Sequence, residues 1–455
     1  MRHARVRKTL ILLVLATLVV MPVSGQRIGA NADLIAVNMA DTHSAYDAYP
    51  AILTAVDRIA RLYDGKKLVF LFDGDLFELG NAAAANSDGA ADWKFLERLR
   101  EYGPVVVSIG NHEFDFVAPE EFVATAGEYD VEVVGTVRGE DGELLAPTSV
   151  DLDAGGDTVR VVGIATDQMN TYPEAYRETL QIPDPVEWSA QNYAETVEGA
   201  DYSILLSHAG LVADRKIVAE LPENTLFAVG GHDHLVLRES IEGIPYMHNG
   251  FRGERINVTE INLTGAEPEL TFRDVRTADV RGRNTEMAQM IQATRDDHLS
   301  AADRASVGTV PETMSVLEAA MWSVETVRDA VDADVAFLNH TSFGSGLNEG
   351  GLAKYRFDQF MRFDNDVMRA EVDAATLRGI LARSNQHEDT PLAERTGDFL
   401  YASDVEVEDG ESYDIVTSSW VSLDFNQERY LGTTEIEFEK VEGVTTKGIL
   451  TEAMN

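Results

Sequence analysis

Residues 105–115 read VVVSIGNHEFD, and this stretch decides the fold. A short β-branched run is typical of a buried strand, and here it ends at once in Gly, Asn and His. The same succession, an apolar strand followed by polar residues, recurs four more times before residue 235. The other apolar runs are LIAV at 34–37, LVFLF at 68–72, ILL at 204–206 and LFAV at 226–229.

Helical patterns separate several of these strands. Between the first two runs, for example, apolar residues recur with helical spacing at Ile52, Val56, Ile59 and Leu62. Alternating strands and helices predict a layered α/β domain, in which functional sites collect beyond the carboxyl ends of the strands. We therefore expect five strand ends to converge on one rim, so that the polar residues following them lie close together.

The polar residues at this rim form a candidate ligand set for two divalent metal ions. Carboxylate, imidazole and amide oxygen suit Zn, Mn, Fe or Co, and the chain has no cysteine for a thiolate site. Two ions about 3.5–4 Å apart need a shared ligand, and Asp75 is the candidate bridge. One ion is expected at Asp41, His43 and His234, and the other at Asn111, His208 and His232. Asp73 is expected to cap its strand end.

The ordered ligand set, with GNHEFD at 110–115, resembles the calcineurin-type metallophosphoesterases. The GNHEFD motif is similar to that of the 5′-nucleotidase branch, which also includes 2′,3′-cyclic-nucleotide phosphodiesterases. The resemblance implies that His112 donates to the phosphoryl group and helps to protonate the leaving group, while Asp115 orients the imidazole. It also implies in-line attack of a metal-bound hydroxide on phosphorus, without a covalent phosphoenzyme. The expected fold is a layered α-β-β-α catalytic domain.

The second half of the chain is expected to form a smaller α+β domain, since 455 residues favour two domains. The runs ADVAFLN at 333–339 and GDFLYAS at 397–403 resemble the substrate-binding, C-terminal domain of 5′-nucleotidases. The expected boundaries are a signal peptide at 1–25, a catalytic domain at 33–280, a connecting helix or linker at 281–306 and the C-terminal domain at 307–455.

Residues for substrate binding follow from the same resemblance. It places Asn339 in a nucleotide site and Phe399 on one face of the base, and stacking of this kind tolerates any base. Tyr430 is the candidate for a second stacking ring, in competition with two other aromatic residues. These competitors are Trp420 and Phe425.

Two departures leave the substrate open. Gly344 stands where the family motif has an Arg that engages the charged end of the nucleotide, and Arg362 stands where the family has Pro. A guanidinium can form a two-pronged contact with phosphate and glycine cannot. Either Arg362, Arg356 or Lys354 replaces the missing group, or the substrate is not a simple 5′-mononucleotide.

The composition is strongly acidic: 78 Asp and Glu stand against 37 Lys and Arg, for a net charge of −41. A charge of this size along the whole chain is typical of halophilic proteins, because salt screens the repulsion. A merely acidic secreted enzyme is the alternative interpretation. Polymeric nucleic acid is not expected as a partner, since binding it requires a basic surface.

The N-terminus has the pattern of a secretory signal peptide. Basic residues among the first eight are followed by an apolar run at 10–20 and then by PVSG at 22–25. The apolar run is short for a membrane span, although an uncleaved anchor is the alternative. We therefore predict a secreted or cell-surface protein. A monomer is the default expectation. Because the chain has no cysteine, its stability does not depend on disulfides.

Three functions remain open at this point. The first is a secreted two-metal 5′-nucleotidase that releases phosphate from nucleotides. The second is a phosphodiesterase acting on 2′,3′-cyclic nucleotides or another small ester, which the missing Arg favours. The third is a non-catalytic surface protein that keeps the metals for ligand binding, and the intact His112–Asp115 pair argues against it.

Overall fold

The structure is a computed structural model that describes Gly29, residues 31–386 and residues 390–455. The predicted signal peptide lies outside the described residues. The described residues divide into two compact units, of which the first lies within Met1–Leu79 and Ala84–Asp297 and the second within Gly80–Ala83 and His298–Asn455. The division at 297/298 falls inside the linker predicted at 281–306.

The first unit contains two six-stranded sheets, ordered β12-β11-β1-β2-β3-β4 and β5-β6-β7-β8-β10-β9. Strands β1 to β4 run parallel to one another, and so do β6, β7, β8 and β10. The strands are β1 (Leu34–Met39), β2 (Lys67–Phe72), β3 (Val105–Ser108), β4 (Glu132–Val134), β5 (Ser149–Ala154), β6 (Asp157–Ile164), β7 (Tyr202–Ser207), β8 (Thr225–Gly230), β9 (Val236–Ile241), β10 (Ile244–Asn249), β11 (Arg255–Asn262) and β12 (Glu269–Arg276).

The two sheets pack face to face around one apolar core. Val69, Leu71 and Val106 of the first sheet join Ile204 and Leu206 of the second in a single buried cluster. Each such side chain contributes roughly 1.5–3 kcal/mol by leaving water. The accompanying helices are α1 (Tyr49–Leu62), α2 (Ala82–Ala85), α3 (Ala90–Arg100), α4 (Pro119–Glu128), α5 (Pro185–Thr196), α6 (Leu211–Ala219) and α7 (Thr285–His298).

The second unit is built on a five-stranded sheet of order β17-β14-β18-β16-β19, with a separate pair β13-β15. Its strands are β13 (Ser306–Val310), β14 (Val335–Asn339), β15 (Gly350–Ala353), β16 (Asp366–Asp373), β17 (Leu400–Ala402), β18 (Ser412–Ser418) and β19 (Glu439–Thr445). Its helices are α8 (Val316–Ala330), α9 (Lys354–Phe360), α10 (Ala374–Leu381), α11 (Asp424–Leu431) and α12 (Thr446–Ala453).

Two apolar clusters hold the second unit together. One includes Val324 of α8 and Leu450 of α12, and the other includes Leu377 of α10 and Leu431 of α11. Ser315 begins α8 with a capping box, in which its side chain and that of Glu318 satisfy each other's backbone N–H groups. The predicted fold class, a layered α/β domain followed by a smaller α+β domain, is confirmed. Within the described residues, no helix is long and apolar enough to cross a membrane.

Candidate metal centre

The seven predicted ligands lie just beyond the carboxyl ends of five strands, namely β1, β2, β3, β7 and β8. Because neighbouring strands are parallel, these ends meet at the same edges of the two sheets. All seven residues are buried, and the most exposed of them, His234, is 9% accessible. The others are Asp41, His43, Asp75, Asn111, His208 and His232.

The structure gathers these side chains into two groups that share Asp75. The ligand atoms of the first group, and likewise those of the second, all lie within 4.8 Å of one another. The first group is Asp41, His43, Asp75 and His234; the second is Asp75, His208 and His232. Asn111 joins the second group, since its Oδ1 lies 2.9 Å from Nδ1 of His232 and 3.2 Å from Nε2 of His208.

The donor atoms fit divalent cations. Oδ2 of Asp41 is buried and accepts no hydrogen bond within the described part of the chain. The Nε2 atoms of His43 and His234 face each other at 2.9 Å. A cation between such atoms would satisfy them together, and the set of oxygen and imidazole ligands suits Zn, Mn, Fe or Co. The residues therefore fit two divalent ions, one per group.

The backbone at the rim is strained in a way that aims these side chains. Five of the ligands have φ between 42° and 77°, in the left-handed region. Residues with a Cβ rarely adopt this region, and it costs on the order of 1–3 kcal/mol per residue. The fold thus holds the ligand loops in conformations that the loops alone would not prefer. The five residues are Asp41, His43, Asp75, His232 and His234.

The shared aspartate is the most acidic carboxyl group of the cluster. Burial alone would raise the pKa of Asp75, but the charges of His208, His112 and His43 outweigh burial and hold it well below its ordinary value. Burial raises the pKa of Asp41 to about 7, with a further contribution from the charge of Asp75. Asp75 is therefore the carboxylate best suited to lie between two cations.

His112 and Asp115 form a hydrogen-bonded pair beside the first group. Nδ1 of His112 lies 2.9 Å from Oδ2 of Asp115, which also accepts from the backbone N–H of Leu79 at 2.8 Å. The backbone N–H of His112 donates to Oδ1 of Asp75 at 2.9 Å. The His112 ring centre is 5.1 Å from that of His43. Asp115 thus fixes one ring nitrogen of His112, next to the candidate metal ligands.

Several residues that support the ligands were not singled out in the sequence. Glu113 accepts from the backbone N–H of Leu76 at 2.8 Å and of Gly110 at 2.7 Å, so it joins two ligand loops. The ring of Phe251 stacks on His234 at 4.6 Å with an interplanar angle of 2°. Glu113 lies inside the GNHEFD motif, which was the available signal. Nothing in the neighbouring sequence marks Phe251.

Asp73, expected as a cap of its strand end, accepts a hydrogen bond from the backbone N–H of Asp41 at 3.4 Å.

In the second unit, the structure brings Asn339 and Arg362 together at Thr341. Asn339 donates to the Thr341 hydroxyl at 2.9 Å, and Nη1 of Arg362 donates to the Thr341 carbonyl at 3.1 Å. Arg362 also lies over the ring of Phe363, with its guanidinium carbon 5.1 Å from the ring centre. Only 1% of Asn339 and 8% of Arg362 is exposed. These polar groups are thus engaged within the unit, and their substrate roles stay predictions.

The predicted stacking residues are also enclosed. His340 covers one face of Phe399, with ring centres 4.1 Å apart and nearly parallel, and Phe399 is 5% exposed. Tyr430 is 3% exposed, and its hydroxyl donates to Asp398 at 3.3 Å. The competing ring of Phe425, by contrast, is 56% exposed. The covered face of Phe399 becomes available to a base only if His340 moves.

Comparison with known proteins agrees with this geometry. Residues 37–236 match the model of the calcineurin-like phosphoesterase family. These residues form a calcineurin-like phosphoesterase domain, and the solved structures similar to the chain include 5′-nucleotidases.

Individual relatives are distant. An apyrase of Aedes albopictus is 24% identical over 200 residues, which are 42% of this chain and 34% of that protein. The chain therefore spans about a third of the length of this curated relative. A 5′-nucleotidase precursor of Thermus thermophilus is similar with a TM-score of 0.63 and 16% identity, over 92% of this chain and 96% of that one. The sulfate thiohydrolase SoxB of Thermus thermophilus gives 0.65 and 12%, over 93% and 94%.

Proposed function

We propose that the protein is a secreted two-metal phosphoester hydrolase, of the 5′-nucleotidase type, that releases phosphate from nucleotides. The observation that supports this proposal is the pair of ligand groups sharing Asp75 with His112 and Asp115 beside them. A purely structural metal site has no need of an oriented imidazole at its edge. The non-catalytic alternative is therefore disfavoured.

The chain's own residues have distinct tasks in this reaction. Asp41, His43, Asp75 and His234 would hold one cation, and Asp75, Asn111, His208 and His232 the other. When bound, the two cations supply an activated water and positive charge for the phosphoryl oxygens.

His112 would act on the leaving group. With its Nδ1–H donated to Asp115, its Nε2 is the working atom toward the phosphoryl group. A proton held there can be given to the departing alkoxide, for which an imidazole is suited near neutral pH. Asp115 fixes the ring and stabilises its protonated form, while its second contact to the backbone N–H of Leu79 anchors the carboxylate.

Two observations bear on the alternative substrates, which are 2′,3′-cyclic nucleotides and other small phosphate esters. Gly344 offers no side-chain donor, and the guanidinium of Arg362 already contacts the Thr341 carbonyl and the Phe363 ring. The face of Phe399 that a base would need is covered by His340. A cyclic nucleotide still carries a base, so the covered ring of Phe399 favours only small phosphate esters without a base, whereas the missing donor at Gly344 favours both alternatives.

Phosphate release across a panel of esters tests the proposal. The mature chain with Mn²⁺ would be given 5′-mononucleotides, 2′,3′-cyclic nucleotides, bis-nitrophenyl phosphate and sugar phosphates in buffers of low and high KCl. Preference for 5′-mononucleotides supports the nucleotidase, and preference for diesters or sugar phosphates supports the alternative. Absence of turnover on every ester, with both ions bound, would refute hydrolysis. Sequencing the N-terminus of protein recovered from culture medium tests secretion.

A further inference from the structure

A buried polar network lies behind the second ligand group. Its carboxylate, Asp214, accepts from the hydroxyl of Ser207 at 2.5 Å and from that of Tyr246 at 2.7 Å. His248 contributes Nε2, which contacts the Tyr246 hydroxyl and lies 3.6 Å from Oδ2 of Asp214. All four residues are at most 2% exposed. A charge or dipole buried so deeply is costly unless it is fully engaged, so the network depends on precise geometry.

The network is placed between the two strand ends that carry His208 and His232. Ser207 ends β7 and directly precedes His208. Gly230 ends β8, two residues before His232, and a Cβ there would lie 2.3 Å from Nε2 of His248 and 2.5 Å from Oδ2 of Asp214. The network therefore closes around the β8 backbone and leaves no room for a side chain.

Helix α6 joins the same two ligand loops at a second point. Asp214 lies on α6, and the backbone N–H at its first residue, Leu211, donates to Oδ2 of Asp233 at 2.6 Å. Asp233 stands between His232 and His234, so one end of α6 is fixed to the β8 loop. One turn later, Asp214 fixes the helix to the end of β7 through Ser207. The helix thus spans the loops that supply two ligands of the second group.

We propose that Asp214 is a positioning residue that sets the separation of His208 and His232, and thereby the affinity of the second ion. The inference rests on the proposed function, because it presumes that metal is bound there. Outer partners that orient metal ligands typically change metal affinity about 10- to 100-fold. Asp214 acts on the two ligands through Ser207 and the β8 backbone.

Two single-site backgrounds separate the ions. The variant H43A leaves the second group complete, and H208A leaves the first group complete. Binding of Mn²⁺ to each, followed by the electron paramagnetic resonance signal of unbound Mn²⁺, gives one dissociation constant per background. Adding D214N should raise this constant about 10- to 100-fold in the H43A background and change it less than about twofold in the H208A background.

A matched control is D92N, since Asp92 is another fully buried aspartate of the first unit that accepts from two tyrosine hydroxyls. The hydrogen-bond partners Tyr46 and Tyr49 lie outside β7 and β8. The D92N substitution should therefore leave Mn²⁺ binding in the H43A background unchanged. An equal effect of D92N and D214N there would overturn the specific role of Asp214.

Two further outcomes also decide the matter. Unchanged Mn²⁺ affinity in D214N overturns the proposal, as does equal weakening in both backgrounds with a lower unfolding temperature, which indicates a purely structural role. If D214N does not fold, S207A and Y246F each remove one hydroxyl and should weaken the second ion in the same direction. Failure of the unmutated chain to bind Mn²⁺ would instead refute the metal centre of the proposed function.

Discussion

We expect Asp92 on α3 to make the stability of the first unit depend on pH. The side chain is fully buried and accepts hydrogen bonds from Tyr49 at 2.6 Å and Tyr46 at 3.0 Å. Burial raises the pKa of Asp92 from 3.8 to about 7, although the hydroxyl donors oppose the shift. The folded chain therefore holds a proton on Asp92 at pH values where the unfolded chain has released it.

The sign and size of the effect follow by linkage. Asp92 has the higher pKa in the folded chain. Its contribution to the free energy of unfolding is therefore greatest below about pH 4 and is lost as the pH rises through about 7. The difference between a pKa of 3.8 in the unfolded chain and about 7 in the folded chain corresponds to roughly 4 kcal/mol. D92N cannot ionise, so the difference in unfolding free energy between D92N and the unmutated chain should change by roughly 4 kcal/mol from pH 4 to pH 8.

Urea unfolding between pH 4 and pH 8 measures this difference. A chelator removes the separate pH dependence of metal binding, and a background with Trp188, Trp322 and Trp420 replaced by Phe leaves Trp93, next to Asp92, as the fluorescent probe. The unmutated background should lose stability relative to D92N as the pH rises. Parallel pH profiles for the two proteins would refute the reasoning, because they would show that Asp92 has the same pKa in both states.

Three other predictions concern the site and the surface. H112A should slow turnover about 10²- to 10⁴-fold while metal content is retained. The exposed His298 gives the control variant H298A, and equal turnover rates for the two variants would refute the role of His112. D75A should lose both ions, because Asp75 belongs to both groups, whereas D41A should lose mainly one. Mass spectrometry of the bound metal distinguishes the two variants, and full metal occupancy in D75A would contradict the bridging role. Raising KCl from about 0.1 to about 2 M should raise the unfolding temperature measured by calorimetry, since salt screens the net charge of −41; a fall would argue against a salt-adapted surface.

Much of the metal centre was predictable from the sequence because its ligands follow buried strands directly. An apolar run that ends in Asp75 or Asn111 marks both the strand and the polar residue at its end. Parallel strands then place those ends together whatever the details of packing. The structure gathers Asp41, His43 and His234 around Asp75, and His208 and His232 around the same carboxylate, while the binding of an ion by each group stays a prediction.

The second unit shows the limit of this reasoning. The sequence marks Phe399 as an aromatic residue in a motif, but it does not show what lies on the ring. His340 is 59 residues away along the chain, and it reaches Phe399 because β14 pairs with β17. Its contact with Phe399 depends on strand pairing, for which His340 carries no local signal.

The network around Asp214 shows most clearly which features the sequence determined and which features the tertiary structure determined. The sequence by itself determined that His208 and His232 end strands, because a few neighbouring residues suffice for that pattern. No local pattern in the sequence marks His248, and only the tertiary structure places it beside Asp214 and Gly230. It does so because β10 lies next to β8 with His248 opposite Gly230. Strand order and register depend on packing across the whole sheet, and no short stretch of sequence contains that information.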